Sequence, residues 1–158
     1  MLRKVPLILS VIGVISLGLA GTAATASIER TVVSLHGTQL APFFTDLPAR
    51  LAANHLVISR SGAGTVAELA AIGRPSILVP LPGSIDQDQF ANAGVLSQAG
   101  GALRISQGEF TPDRLATEIS TLAAEPSRLA AMASAARGAG RLDAAERLAD
   151  LVVKVAGI

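Results

Sequence analysis

Residues 56–71 read LVISRSGAGTVAELAA, and three signals in that order decide the fold. Leu56 to Ile58 is an apolar run long enough for a buried strand and too short for a helix. Ser61 to Gly64 interrupts it. Thr65 to Ala71 then takes the spacing of a helix, closed by Gly73 and Pro75. Glycines let a backbone approach a ligand closely, and the first amides of a helix favour an anion, so a phosphate suits this loop. The letters also suit a tight turn that needs small residues only for packing. Neither G-x-G-x-x-G nor the lysine of a GK[ST] loop is present.

The same alternation continues downstream. Ser76 to Val79 is a second buried strand, ended by Pro80 and Pro82, and a polar loop leads into a helix over residues 87–98. Gly100 and Gly101 precede a third strand candidate, Ala102 to Ile105. Thr111 then caps a helix with Pro112 at its first position, running to about Ala123. Pro126 opens another through Arg137, with Leu129 and Met132 on one face. A last helix near Asp143 repeats Ala145, Leu148, Leu151, Val152 and Val155 at helical spacing. Upstream, Asp46 is placed to cap a short helix over residues 47–53. Strands alternating with helices across short crossovers predict an α/β, Rossmann-like parallel sheet with helices on both faces and a helical C-terminal tail. Ligands of such sheets sit at the carboxyl ends of the strands, which points to the loops 59–65 and 80–89.

Composition narrows the chemistry. The chain has 158 residues, half of them apolar and 16% charged, which excludes disorder for most of its length. With no cysteine there is no disulfide scaffold, thiolate metal site or cysteine nucleophile, and two histidines leave little for a metal centre. No metal or cofactor is expected. A net charge of +1 without tyrosine or tryptophan gives neither a basic field nor a stacking platform for nucleic acid. Arg3 and Lys4 are the only charges before Glu29, and residues 5–26 carry none. This basic start, apolar run and small-residue stretch ending in Ala24-Thr25-Ala26 reads as a signal peptide or a membrane anchor. An apolar extension on a soluble domain is the third reading. Residues 1–35 are therefore set apart as a leader from a domain at 36–158.

Several side chains near the two loops carry groups suited to binding. Glu68 stands one turn into the helix after the glycine loop, where a carboxylate can accept hydrogen bonds from ribose hydroxyls. It fits equally as a solvated helix glutamate favoured by the helix dipole. Residues 83–89, GSIDQDQ, concentrate carboxylates and amides suited to sugar hydroxyls. Phe43 and Phe44 can sandwich a base or belong to the core.

Taken together, PFFTDLPARLAANHLVISRSGAGTVAELAAIGRPSILVPLPGSIDQDQFANA and the tail segments GEFTPDRL, PSRLAAMASAARG and DAAERLADLV resemble one family over about residues 38–155. It is the C-terminal, donor-binding half of the MurG family, GT-B enzymes that transfer N-acetylglucosamine from UDP-N-acetylglucosamine to lipid I in peptidoglycan synthesis. The resemblance implies that Phe43, Phe44 and Leu47 hold the uracil. It assigns Gly62, Ala63, Gly64 and Thr65 to the diphosphate, Glu68 to the ribose, and Asp88 and Gln89 to the N-acetylglucosamine hydroxyls. Asp88 departs from the glutamine found in some members. Arg60 reads either as a phosphate helper or as a structural residue.

No residue matches the family's acceptor domain, its catalytic base, or the first strand and glycine-rich loop of its C-terminal domain. His36 and His55 are assigned no catalytic role, so no catalytic residue is expected here. The resemblance thus implies a donor-binding half, with lipid I as a partner only if an acceptor domain is supplied. It implies a site on the cytoplasmic face of the membrane, whereas the charges before the apolar run predict an exported domain. The alternative to an enzyme half is an inactive, tethered or exported remnant that acts at most as a binding module.

Overall fold

The structure, a computed structural model, describes the backbone at residues 11–14 and the chain over residues 44–157. Four strands form a parallel sheet in the order β1 (Val11–Val14), β2 (Leu56–Ser59), β3 (Ser76–Leu78), β4 (Ala102–Arg104). Among the described residues the helices are α1 (Leu47–Ala53), α2 (Ala63–Ile72), α3 (Asp88–Gln98), α4 (Pro112–Ala124), α5 (Pro126–Ala139) and α6 (Ala144–Ala156). Every strand and helix expected downstream of residue 46 is present within two residues of its expected ends. Each carried its own start or stop chemistry, such as the Thr111 hydroxyl that accepts from the Arg114 amide at 3.2 Å.

The register explains how both faces are covered. Ile58, Ile77 and Leu103 are aligned across β2, β3 and β4, and alternate residues point to opposite faces. Val57, Leu78 and Ala102 pack with Leu51, Val66, Leu69, Ala93 and Leu96 of the helices α1, α2 and α3. Leu56, Ile58, Ile77, Val79 and Ile105 pack instead with Leu122, Leu129 and Met132 of α4 and α5. A sequential strand order with right-handed crossovers puts the connecting helices on one face, so the helices after the last strand must close the other. Burying each large aliphatic side chain stabilises the fold by about 2 kcal/mol as an upper bound.

Two expectations differ in the structure. Val11–Val14 lies inside the stretch read as a leader, yet pairs in parallel with all of β2, from Val11 opposite Leu56 to Val14 opposite Ser59. A short β-branched run fills a sheet edge as readily as a membrane helix, and periodicity alone does not separate them. The rest of residues 1–35 lies outside the described residues. Asp46 does not cap α1 with its side chain; its carboxylate instead pairs with Arg50 Nε at 2.7 Å. That contact holds the Asp46 carboxyl below the ordinary aspartate value of 3.8, chiefly through the hydrogen bond from Arg50.

The tail is helical, but the apolar positions of α6 are exposed: no residue of this helix is buried among the described residues. Among the described residues, no helix is long and apolar enough to cross a membrane.

Candidate functional site

In a parallel sheet the carboxyl ends of the strands gather the loops that follow them at one edge. Here those loops are residues 60–62 after β2 and 79–87 after β3. The first opens α2. Gly62 occupies the cap position with extended backbone (φ −60°, ψ 149°), and no side chain caps the helix. The first turn carries no acidic residue. Val66 N–H donates to Gly62 O at 3.0 Å, and the amides before it keep the unpaired character of a helix start.

The surroundings of the glycines decide between the two readings of this loop. A Cβ built on Gly62 or on Gly64 would meet nothing within 4 Å among the described residues. Neither has a positive φ. Among the described residues, crowding and backbone conformation therefore do not account for glycine at these positions, and the space above them is open to the approach of a ligand. Thr65 is half-buried beside them, and Glu68 is exposed one turn further along. Among the described residues Glu68 makes no ion pair, so its carboxylate is available to hydroxyl donors.

Residues 79–89 are held to this loop at three points. Arg60 Nη1 donates to the carbonyls of Val79 (3.2 Å) and Pro80 (3.3 Å), which identifies Arg60 as a structural tie between the loops. Ser61 is fully buried, and its hydroxyl donates to the carbonyl of Gln89 at 2.7 Å. Gln89 Oε1 in turn accepts from Leu81 N–H at 3.1 Å. Asp88 is exposed at the first turn of α3, with Oδ1 accepting from Gln89 N–H at 2.7 Å. Between these anchors Asp86 (φ 51°) and Gln87 (φ 54°) both adopt the left-handed region. For residues with a Cβ this costs about 1 kcal/mol each. Gln87 N–H to Ser84 O at 3.0 Å helps to hold the turn.

The residues expected near a base are placed differently from one another. Phe44 is half-buried with the Arg50 guanidinium 4.2 Å from its ring centroid. Leu47 packs against the core cluster of α1, α2 and α3, which ties the start of α1 to the helix bearing the glycine loop. Phe43 and His36 lie outside the described residues. His55 precedes the amino end of β2, at the opposite edge of the sheet, beside Arg74 and Pro126 in a shallow cleft of roughly 220 Å³. Sequence reading attached no role to Ser61 or to the Leu81 amide. Residues 28 apart share no periodicity, and only the folded loops bring Ser61 to Gln89.

A parallel sheet with an uncapped, open glycine turn at its carboxyl edge, and a carboxylate one turn on, has the layout of doubly wound α/β folds, whose ligands sit at that edge. The family model of the glycosyltransferase family 28 C-terminal domain matches residues 19–148, and the chain belongs to that family. The match begins inside the stretch read as a leader. A relative from Bradyrhizobium diazoefficiens is 85% identical over 120 residues, 76% of this chain and 33% of its own length. It is named UDP-N-acetylglucosamine–N-acetylmuramyl-(pentapeptide) pyrophosphoryl-undecaprenol N-acetylglucosamine transferase. A relative of the same name from Rhodopseudomonas palustris is also 85% identical, again over 76% of this chain. The crystal structure of Acinetobacter baumannii MurG matches with a TM-score of 0.73 at 32% identity, covering 84% of this chain and 40% of that one. The chain spans about a third of the length of the curated relatives it matches.

Proposed function

We propose that this chain binds UDP-N-acetylglucosamine at the carboxyl edge of its sheet, as the donor-binding half of a MurG-like N-acetylglucosaminyltransferase of peptidoglycan synthesis. The observation that carries this reading is the open space over Gly62 and Gly64 at the uncapped start of α2, with Glu68 one turn on. In this reading the amides of residues 62–65 receive the diphosphate and Glu68 accepts from the ribose hydroxyls. Phe43, Phe44 and Leu47 flank the uracil, while Asp88 and Gln89 meet the sugar. The names of the relatives support the choice of donor.

The chemistry would be direct displacement at the anomeric carbon by the C4 hydroxyl of lipid I, with inversion and loss of UDP. The helix start stabilises the negative charge that grows on the departing diphosphate. None of the residues assigned here is placed to take the acceptor's proton, so transfer to lipid I depends on an acceptor domain. A lipid acceptor places the working site at the cytoplasmic face of a membrane, where the nucleotide sugar is available.

Calorimetric titration of the 158-residue chain with UDP and UDP-N-acetylglucosamine tests the reading. Saturable binding of both is expected. Glu68→Ala should weaken each by about tenfold or more, the worth of hydrogen bonds to a charged acceptor. Absence of binding at millimolar nucleotide contradicts the donor site, and unchanged binding by Glu68→Ala contradicts the ribose role.

A further inference from the structure

Gln89 is held by both loops of the site. Its main-chain carbonyl is fixed by the buried Ser61 hydroxyl at 2.7 Å, and its side-chain oxygen by the Leu81 amide at 3.1 Å. An amide N–H can only donate, so the atom facing Leu81 N must be the oxygen, and the orientation of the Gln89 carboxamide is settled by its partner. Its Nε2 hydrogens make no hydrogen bond among the described residues and are left for a ligand, while Oε1 has one of its two lone pairs engaged by Leu81. The Nε2 hydrogens can donate to a hydroxyl oxygen but accept nothing.

The tie from Ser61 is buried, short and made by the residue immediately before the glycines that face the ligand. Losing one partner of such a bond strands the other. The start of α3 follows two left-handed residues, and besides Ser61 the side chains that bond to its first turn among the described residues are its own Asp88 and, at a longer 3.3 Å, Arg104 Nη1 on the Phe90 carbonyl.

We propose that Ser61 is a positioning residue: through the Gln89 carbonyl it fixes the start of α3 against the glycine loop, so that Gln89 presents its Nε2–H group, as a donor only, to the sugar of the bound nucleotide. The proposal rests on the donor-site reading above and adds to it a residue that touches no ligand. It makes the sugar contribution to binding separable from the nucleotide contribution. Ser61 governs the first through Gln89, while the amides of residues 62–65 supply the second.

The test uses the full chain and two readouts. Nucleotide binding is measured with UDP and with UDP-N-acetylglucosamine, and amide hydrogen exchange of Leu81 is measured without ligand, relative to core amides such as Ile77. In Ser61→Ala, UDP affinity should stay within about threefold of wild type, while the preference for UDP-N-acetylglucosamine over UDP falls at least about fivefold. Leu81 exchange should speed by about tenfold or more as the Gln89 side chain loses its fixed base. Gln89→Glu provides a second variant that leaves Ser61 intact. Its carboxylate still accepts from Leu81 N–H but cannot donate, so the sugar preference should fall while Leu81 protection persists.

Retention of both the sugar preference and Leu81 protection in Ser61→Ala overturns the inference and leaves the donor site standing. Equal loss of UDP and UDP-N-acetylglucosamine binding also overturns it, because Ser61 would then shape only the glycine loop. A wild type with equal affinity for the two nucleotides overturns the role given to Gln89, and the inference with it. A wild type that binds neither nucleotide overturns the donor site itself, and Leu81 exchange then still decides whether Ser61 holds Gln89.

Discussion

The helix α2 has glycine at both ends, and the two ends have opposite surroundings. At the amino end, on the carboxyl edge of the sheet, Gly62 has ordinary extended backbone and open space where a side chain would stand. At the carboxyl end Gly73 has φ +70°, and a Cβ there would lie 2.8 Å from Arg137 Nε and 3.1 Å from Ala133 O. Gly101, at the same lower edge just before β4, is tighter: its Cβ would lie 2.7 Å from the Ala136 backbone. Glycine at the lower edge is required by neighbours and conformation. At the upper edge Gly83 is required by its left-handed φ of +72°, but Gly62 and Gly64 are required by neither neighbours nor conformation among the described residues, and that vacancy is what needs explaining. An identical residue type is thus hemmed in at one edge and open to space at the other.

Three substitutions or titrations press on this difference, the largest effect first. Gly101→Ala pushes a methyl into the main chain of α5, which cannot swing away as a side-chain tip can. Urea unfolding should show a loss of about 3 kcal/mol. A loss below about 1 kcal/mol would mean that α5 backs off freely, and the lower edge would no longer differ from the upper.

Gln87→Gly probes the upper edge in the opposite direction. The native left-handed φ of 54° suits glycine better than glutamine. The substitution should raise folded stability by about 1 kcal/mol, offset in part by the greater freedom of glycine in the unfolded chain. A clear destabilisation would show that the Gln87 side chain holds the turn and that the strain is repaid locally.

The smallest effect concerns Asp46, near the start of α1. Its carboxyl is held below 3.8 chiefly by the Arg50 hydrogen bond, so the stabilisation is complete above the unfolded value. It is lost as pH falls through the lower folded value. By NMR titration, Arg50→Ala should move the Asp46 midpoint upward toward the ordinary aspartate range; an unmoved midpoint would remove Arg50 as the cause.

Most of the fold downstream of residue 46 is legible in the sequence because each element carries local chemistry. Gly73 stops α2 in the left-handed cap, Thr111 and Pro112 start α4, and the β-branched and aliphatic runs at 56–59 and 76–78 suit a doubly covered sheet. The loops that bear the candidate site are located by the same means, from strand order alone. The meaning of individual residues within them is less legible. Whether a glycine is crowded depends on Ala136 or Arg137, which arrive from 35 and 64 positions away. Arg60 read equally as a phosphate helper, and only the positions of the Val79 and Pro80 carbonyls make it a tie. Asp46 had the letters of a cap and pairs with Arg50, since a charged partner one turn on competes with the helix amides. The periodic face of α6 is present as read, but periodicity does not say what covers it.

The central claim is that the space over Gly62 belongs to a ligand. It is tested most directly by measuring folding stability and UDP affinity together in Gly62→Ala. A methyl group there meets no described neighbour, so stability should change by no more than about 1 kcal/mol, the scale of a helix-cap substitution. UDP affinity should fall by about tenfold or more as the methyl occupies the path of the diphosphate to the helix amides. A variant that folds like wild type and binds UDP equally well would contradict the claim.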